Sequence, residues 1–286
     1  MKRFGIVGVI LALVMAAAFL VSGAAAANLS SLSASTTTVP GGKSVTAMLK
    51  LDAAAPTSGQ VVSLSSSDTT LATVPSSVTV GAGRTSASVT IKTKGVAATE
   101  SVTISATLNG ATKTLRLTLT RSKLASLTVP KSIAGASTAS GTVKLDGYAP
   151  TGGFVVDLAT SGGVATVPDS VTIAAGKGSA TFAISSPIVT SSSTTTITAS
   201  LDGISKTGTV SVGPPTVSAV SFSPTKIGED ITSTGTVKLT GPAPSGGARV
   251  TLATTTAGAP VTLPTSVTVA SGATTATFKA TGHQVT

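Results

Sequence analysis

Apolar and polar residues alternate one for one along much of this chain. Thr112 to Thr120 reads TKTLRLTLT, which puts Leu115, Leu117 and Leu119 on one face and Thr and Arg on the other. A period of two belongs to a half-buried strand rather than a helix. The same pattern predicts strands near 29–36, 44–51, 60–66, 77–80, 86–93, 100–108 and 111–120. Their inward positions are Val45, Ala47, Leu49 and Leu51, then Val62 and Leu64, then Val102, Ile104, Ala106 and Leu108. Asn109-Gly110 joins the last two strands, and Asp202-Gly203 takes the corresponding place later in the chain. Both dipeptides suit a two-residue type I′ turn, whose central residues need positive φ.

The pattern returns at a spacing of 94 residues: Pro56, Pro150 and Pro244 stand in APTSG, APTGG and APSGG. Lys50-Leu51, Lys144-Leu145 and Lys238-Leu239 recur before those turns, and Gly83, Gly176 and Gly272 recur after them. Val143, Leu145, Val156, Leu158, Ile197 and Ala199 are the inward positions of the second unit. A period this long with strand patterning inside it describes whole domains in series, not a solenoid of small repeats. The expected division is a signal peptide over 1–27, then repeats over 28–121, 122–215 and 216–286. The links at Arg121 to Leu124 and Gly213 to Thr216 are short, and one carries Pro214-Pro215, which favours a semi-rigid rod.

At the start, Lys2 and Arg3 precede an apolar run from Phe4 to Val21, followed by Ser22, Gly23 and a row of alanines. That is the form of a secretory signal helix, with cleavage after Ala26 or Ala27. The run falls short of the ~20 residues a spanning helix needs, which weighs against an uncleaved anchor. The expected location is therefore secreted or at the cell surface.

Composition narrows the chemistry. About a third of the residues are Ser or Thr and only 10% are charged. With no Cys, disulfides, metal-thiolate sites and thiol nucleophiles are all excluded, so each unit must be held by its apolar core. Some 94 residues suffice for that.

The strings STGTVKLTGPAPSGGARVTLAT (Ser233 to Thr254), VATVPDSVTIAAGKGSATFAI (Val164 to Ile184) and TTITASLDGISKTGTVSV (Thr195 to Val212) resemble the bacterial immunoglobulin-like repeats of secreted and surface proteins. The resemblance implies an all-β chain of Greek-key sandwiches of about seven strands each. It also implies use as a stalk, spacer or adhesive module, or as an accessory to a secreted enzyme. The chain departs from antibody-type domains in having neither a Cys pair nor Trp, so their disulfide and buried indole do not carry over.

Thr216 to Thr286 holds 71 residues against 94 for 122–215, and the 23 without counterparts correspond to Ser191 to Gly213, the last hairpin. The third repeat is thus expected to be incomplete by two strands. Either the reading frame continues, or a neighbouring subunit donates a strand and builds a fibre.

Catalytic and binding chemistry is sparse. His283 is the sole His, and the nine carboxylates form no pair that recurs between units. Glu229-Asp230 is the one adjacent acidic pair and reads as a solvated turn rather than a calcium site. Sugar stacking has only Tyr148 to work with. Thr rows such as 112–120 read as solvent faces before they read as an ice-binding array, and the Ser/Thr density permits O-glycosylation. The formal charge of +10 falls to +8 once Lys2 and Arg3 leave with the signal. That balance suits anionic wall or envelope polysaccharide, or other surface proteins, better than nucleic acid, for which aromatic interleaving is missing. Lys50, Lys113, Lys144, Lys206 and Lys238 also serve simply to keep strands from pairing with strangers. The sequence therefore describes an exported non-enzymatic structural or adhesive chain, with no catalytic, cofactor or metal residues to name.

Overall fold

The computed structural model describes residues 27–255 and 259–284. Of the segment expected to be a signal peptide, residues 1–26, including the cleavage candidate Ala26, fall outside them. Every regular element among the described residues is a strand.

In the first unit the strands are β1 (Leu29–Ala34), β2 (Thr38–Pro40), β3 (Val45–Leu51), β4 (Gln60–Ser66), β5 (Ala72–Thr73), β6 (Ser77–Val80), β7 (Ser86–Thr93), β8 (Glu100–Leu108) and β9 (Ala111–Thr120). They form two sheets, β1-β3-β7-β5 and β2-β9-β8-β4-β6. Strict alternation explains why these segments are strands: in β3, Val45, Ala47, Leu49 and Leu51 are buried while Thr46, Met48 and Lys50 face out. Leu49, Ile91, Ile104 and Leu117 from the two sheets are fully buried in one core. Burying each such side chain is worth about 1.5–3 kcal/mol. Ala27 joins this core at 1% exposure.

The second unit repeats the plan with β10 (Leu124–Thr128), β11 (Ser132–Ala134), β12 (Thr138–Leu145), β13 (Phe154–Ser161), β14 (Ser170–Ile173), β15 (Ser179–Ser185), β16 (Ser193–Leu201) and β17 (Ile204–Gly213). Its sheets are β10-β12-β15 and β11-β17-β16-β13-β14, around a separate core. One core exchange distinguishes the units. Ala47 pairs with Val89 in the first, but Gly141 pairs with Phe182 in the second and Gly235 with Phe278 in the third. The Phe ring occupies the space that the missing methyl leaves.

The third unit contains β18 (Val217–Ser223), β19 (Thr232–Leu239), β20 (Ala248–Thr251), β21 (Val261–Thr262), β22 (Ser266–Val269) and β23 (Thr275–Gly282). Its first sheet, β18-β19-β23-β21, has the order of β1-β3-β7-β5, but among the described residues its second comprises β20 and β22. Strand β4 pairs with both β6 and β8, and β13 with both β14 and β16, whereas among the described residues β20 pairs with β22 and no other strand. Val220 stands in the register of Leu32, opposite Val237 as Leu32 is opposite Leu49, yet it is 47% exposed against 7% for Leu32.

Each unit opens with the same clamp. The Asn28 amide donates to Asp52 Oδ1 at 2.7 Å, that of Lys123 to Asp146 Oδ1 at 2.8 Å, and that of Thr216 to Thr240 Oγ1 at 3.0 Å. These bonds from Asn28 hold the Asp52 carboxyl below its ordinary pKa, and bonds from Thr70 do the same for Asp68.

Candidate functional site: the joint between the first two sandwiches

Among the described residues no group of three or more His, Cys, Asp or Glu lies close enough to hold a metal ion. His283 contacts the Thr262 hydroxyl. Glu229 and Asp230 are exposed in the loop between β18 and β19, with Asp230 at φ 55. Lys50, Lys113, Lys144 and Lys238 are exposed, and Lys206 is half-buried.

The turn residues lie at φ 51 for Asn109, 81 for Gly110, 49 for Asp202 and 76 for Gly203. Asp202 does more than turn the chain. Its carboxylate accepts from Arg121 Nε at 2.6 Å, and Arg121 Nη2 approaches it to 2.5 Å. Arg121 Nη1 donates to the carbonyl of Ala97 at 2.9 Å, and the guanidinium sits 4.3 Å from the centre of the Phe154 ring. One side chain at the boundary therefore grips the first sandwich through Ala97 and the second through Asp202 and Phe154. Both ionic partners are well exposed, so their attraction is worth about 0–1 kcal/mol. The planar fork contributes direction more than strength.

Beside this staple the two backbones meet. The Tyr148 amide donates to the Gly41 carbonyl at 2.8 Å. Ser122, 1% exposed, directs its hydroxyl at the carbonyls of Tyr148 at 3.1 Å and Gly41 at 3.3 Å. The contact requires glycine. A Cβ on Gly42 would lie 2.4 Å from the Tyr148 ring, and one on Gly95 would lie 2.5 Å from the carbonyl oxygens of Tyr148 and Ala149. A Cβ on Gly178 would lie 3.0 Å from the same ring on its other side. Real Cβ atoms essentially never approach within 3.0 Å, so Gly42 and Gly95 admit no side chain without movement of the joint.

None of this is marked by a local motif, because each contact pairs residues far apart in sequence. The traces it leaves are the lone Tyr148 next to a recurrent turn, and Asp202 where the first unit has Asn109.

No family model and no curated protein matches the chain. Among solved structures it resembles the adhesin FdeC of Escherichia coli at 15% identity, covering 90% of each chain with a TM-score of 0.32. It resembles invasin, a bacterial integrin-binding protein, at 16% identity and TM-score 0.41, covering 90% of this chain and 55% of that one. Domains 4 and 5 of the S-layer protein SbsC match at 14% identity and TM-score 0.27, over 65% of this chain and 98% of theirs.

Proposed function

We propose that the chain is an exported, non-enzymatic surface protein whose sandwiches act in series as a semi-rigid spacer with an adhesive face. The observation that carries this reading is the joint, where backbone meets backbone at Gly41, Gly95, Tyr148 and Ala149 and Arg121 grips both sides. Beads on a flexible string have no use for such a fit.

The fold also suits a pulled chain. β2 lies parallel to β9, and β11 parallel to β17, with Thr38 opposite Thr118 and Ser132 opposite Ser211. In each of the first two sandwiches an early strand lies beside the strand by which the chain leaves. Tension at the two ends therefore slides parallel neighbours lengthwise. Bonds such as Thr118 N to Thr37 O at 2.7 Å and Gly135 N to Gly213 O at 2.8 Å are then loaded together rather than one by one.

Exposed lysines such as Lys50, Lys144 and Lys238 supply the charge for anionic wall or envelope polymer. Purified residues 28–215 are expected to bind cell-wall polysaccharide at low ionic strength and to release it as salt rises. Absence of binding at low salt would leave the spacer role alone.

Exposure in the third sandwich favours a second reading there, in which a strand pair supplied from outside the described residues completes it. Val220 and Phe222 stand open, and an apolar cleft of about 380 Å³ is lined by Phe222, Ile227, Val261, Leu263 and Ala280. The chain's own last hairpin, residues 193–213 as a synthetic peptide, is the occupant to test. Binding that shields β18 and β20 from hydrogen exchange supports the reading, and no binding refutes it.

A further inference from the structure

We infer that the two joints of the array are mechanically unlike: the first is locked, and the second is a swivel restrained only by its prolines. The inference stands apart from the surface role, since it concerns the chain itself.

The clamp amides of Lys123 and Thr216 set the alignment of the two joints. Counting back from them, Arg121-Ser122 corresponds to Pro214-Pro215. Counting forward through the matched turns, Tyr148 corresponds to Pro242. Each replacement deletes a lock. Proline has no N–H, so Pro242 cannot make the bond that Tyr148 makes to Gly41. Pro215 has no hydroxyl to match that of Ser122, and Pro214 has no guanidinium to reach across as Arg121 does.

The packing changes in step. Gly41 and Gly135 are equivalent, since each sits within 3 Å, measured from an added Cβ, of the matching amide of Val96 or Val189. The following residue is Gly42 in the first unit but Ala136 in the second, both at positive φ. Gly42 makes room for an aromatic ring, whereas Ala136 carries the methyl that would exclude one. Likewise Gly95, which precedes Val96, is answered by Ile188, which precedes Val189. At the first joint no side chain fits at this place, whereas Ile188 is 45% exposed. The second and third sandwiches still touch, because a Cβ on Gly241 would lie 2.9 Å from the Gly135 carbonyl. Ala134 also lies 3.5 Å from that Cβ, but among the described residues no hydrogen bond or ion pair crosses this joint to fix its direction.

Pro214 and Pro215 hold their own φ angles, so the third sandwich is not free to tumble. It turns about the few torsions that remain, while the first two move as one body. Unsecured interfaces between domains allow such motion by default.

The chain has no Cys, so paired thiols introduced for spin labels are unambiguous. Thr79, Thr172 and Thr268 are exposed and occupy matching places in the three units. Double electron–electron resonance on the full chain labelled at Thr79→Cys with Thr172→Cys, and separately at Thr172→Cys with Thr268→Cys, reads each joint. The second distance distribution is expected to be roughly twice as wide as the first. Adding Tyr148→Pro, Ser122→Ala and Arg121→Ala, which remove the amide, the hydroxyl and the guanidinium together, should widen the first to match the second, with an unchanged circular dichroism spectrum showing that the sandwiches remain folded. Arg121→Ala alone, which leaves every core residue in place, should widen it in part. Equal widths in the unaltered chain, or a first distribution that neither variant widens, would overturn the inference. The spacer and adhesive roles would still have to be judged on cells.

Discussion

Replacing Gly141 with Ala puts the complementarity of the second core to a direct test. An added Cβ would lie 2.3 Å from Phe182 Cζ and 2.6 Å from Cε2, about 1 Å short of ordinary contact. Phe182 is 5% exposed, so its ring can retreat only by displacing the core around Ile184 and Ile197. Overpacking of this kind costs about 1–3 kcal/mol. Against it stands the backbone entropy that Ala saves over Gly, about 0.5–1 kcal/mol. The net expectation is a destabilisation of about 0.5–2 kcal/mol. Phe182→Val alone leaves a void beside Gly141 and costs about 2–4 kcal/mol. The pair Gly141→Ala with Phe182→Val recreates Ala47 opposite Val89, which the first sandwich already packs in full burial. The two changes should therefore rescue one another by at least about 1 kcal/mol. Hydrogen exchange across β12, β15 and β16 of the full chain reads the stability of the second sandwich separately from its neighbours. Strict additivity of the two substitutions, or a stabilising Gly141→Ala, would refute the argument.

Three further outcomes follow from the same geometry. The Asp52 carboxyl is held below its ordinary pKa of 3.8 by Asn28, so its contribution is present above that value and is lost as pH falls through the lower folded-state value. Asp52→Asn should flatten the acid dependence of exchange in β1 and β3, and an unchanged profile would show that the clamp is not titrating. Gly110→Ala, at φ 81, should cost the first sandwich about 1 kcal/mol, measured by thermal unfolding, whereas Gly110→Asn should cost less because Asn tolerates the left-handed region. Ala27 belongs to the first core, so N-terminal sequencing of chain recovered from outside the cell should begin at Ala27, and a start at Asn28 would show that the core forms without it.

Alternation alone makes most strands legible: all seven segments read in the first repeat are strands, and Val45 to Leu51, Val62, Leu64 and Val102 to Leu108 turn the named residues inward. The two strands that escape this reading, β2 and β5, hold three and two residues, too few to show a period. β2 is further disguised because the chain there leaves one sheet and joins the other, in parallel with β9. The clamp residues Asp52, Asp146 and Thr240 recur in register, but their role appears only when each is seen to accept an amide from the start of its unit. The joint is the least legible part. Arg121 with Asp202, and Gly42 with Tyr148, are contacts between separate domains, and no periodicity within a domain encodes them.

The height of the third sandwich above the cell envelope tests the account most directly. A tag placed between Ser245 and Gly246, which are exposed at the tip of a turn, can be located on intact cells by super-resolution imaging in the full chain and in a chain lacking 122–215. A strand of 10 residues such as β17 spans about 33 Å, so removing the second sandwich should lower the tag by about that distance. A tag that is accessible outside the cell and drops by one unit length is the predicted result. A tag that is inaccessible on intact cells, or whose height does not change, would contradict the account.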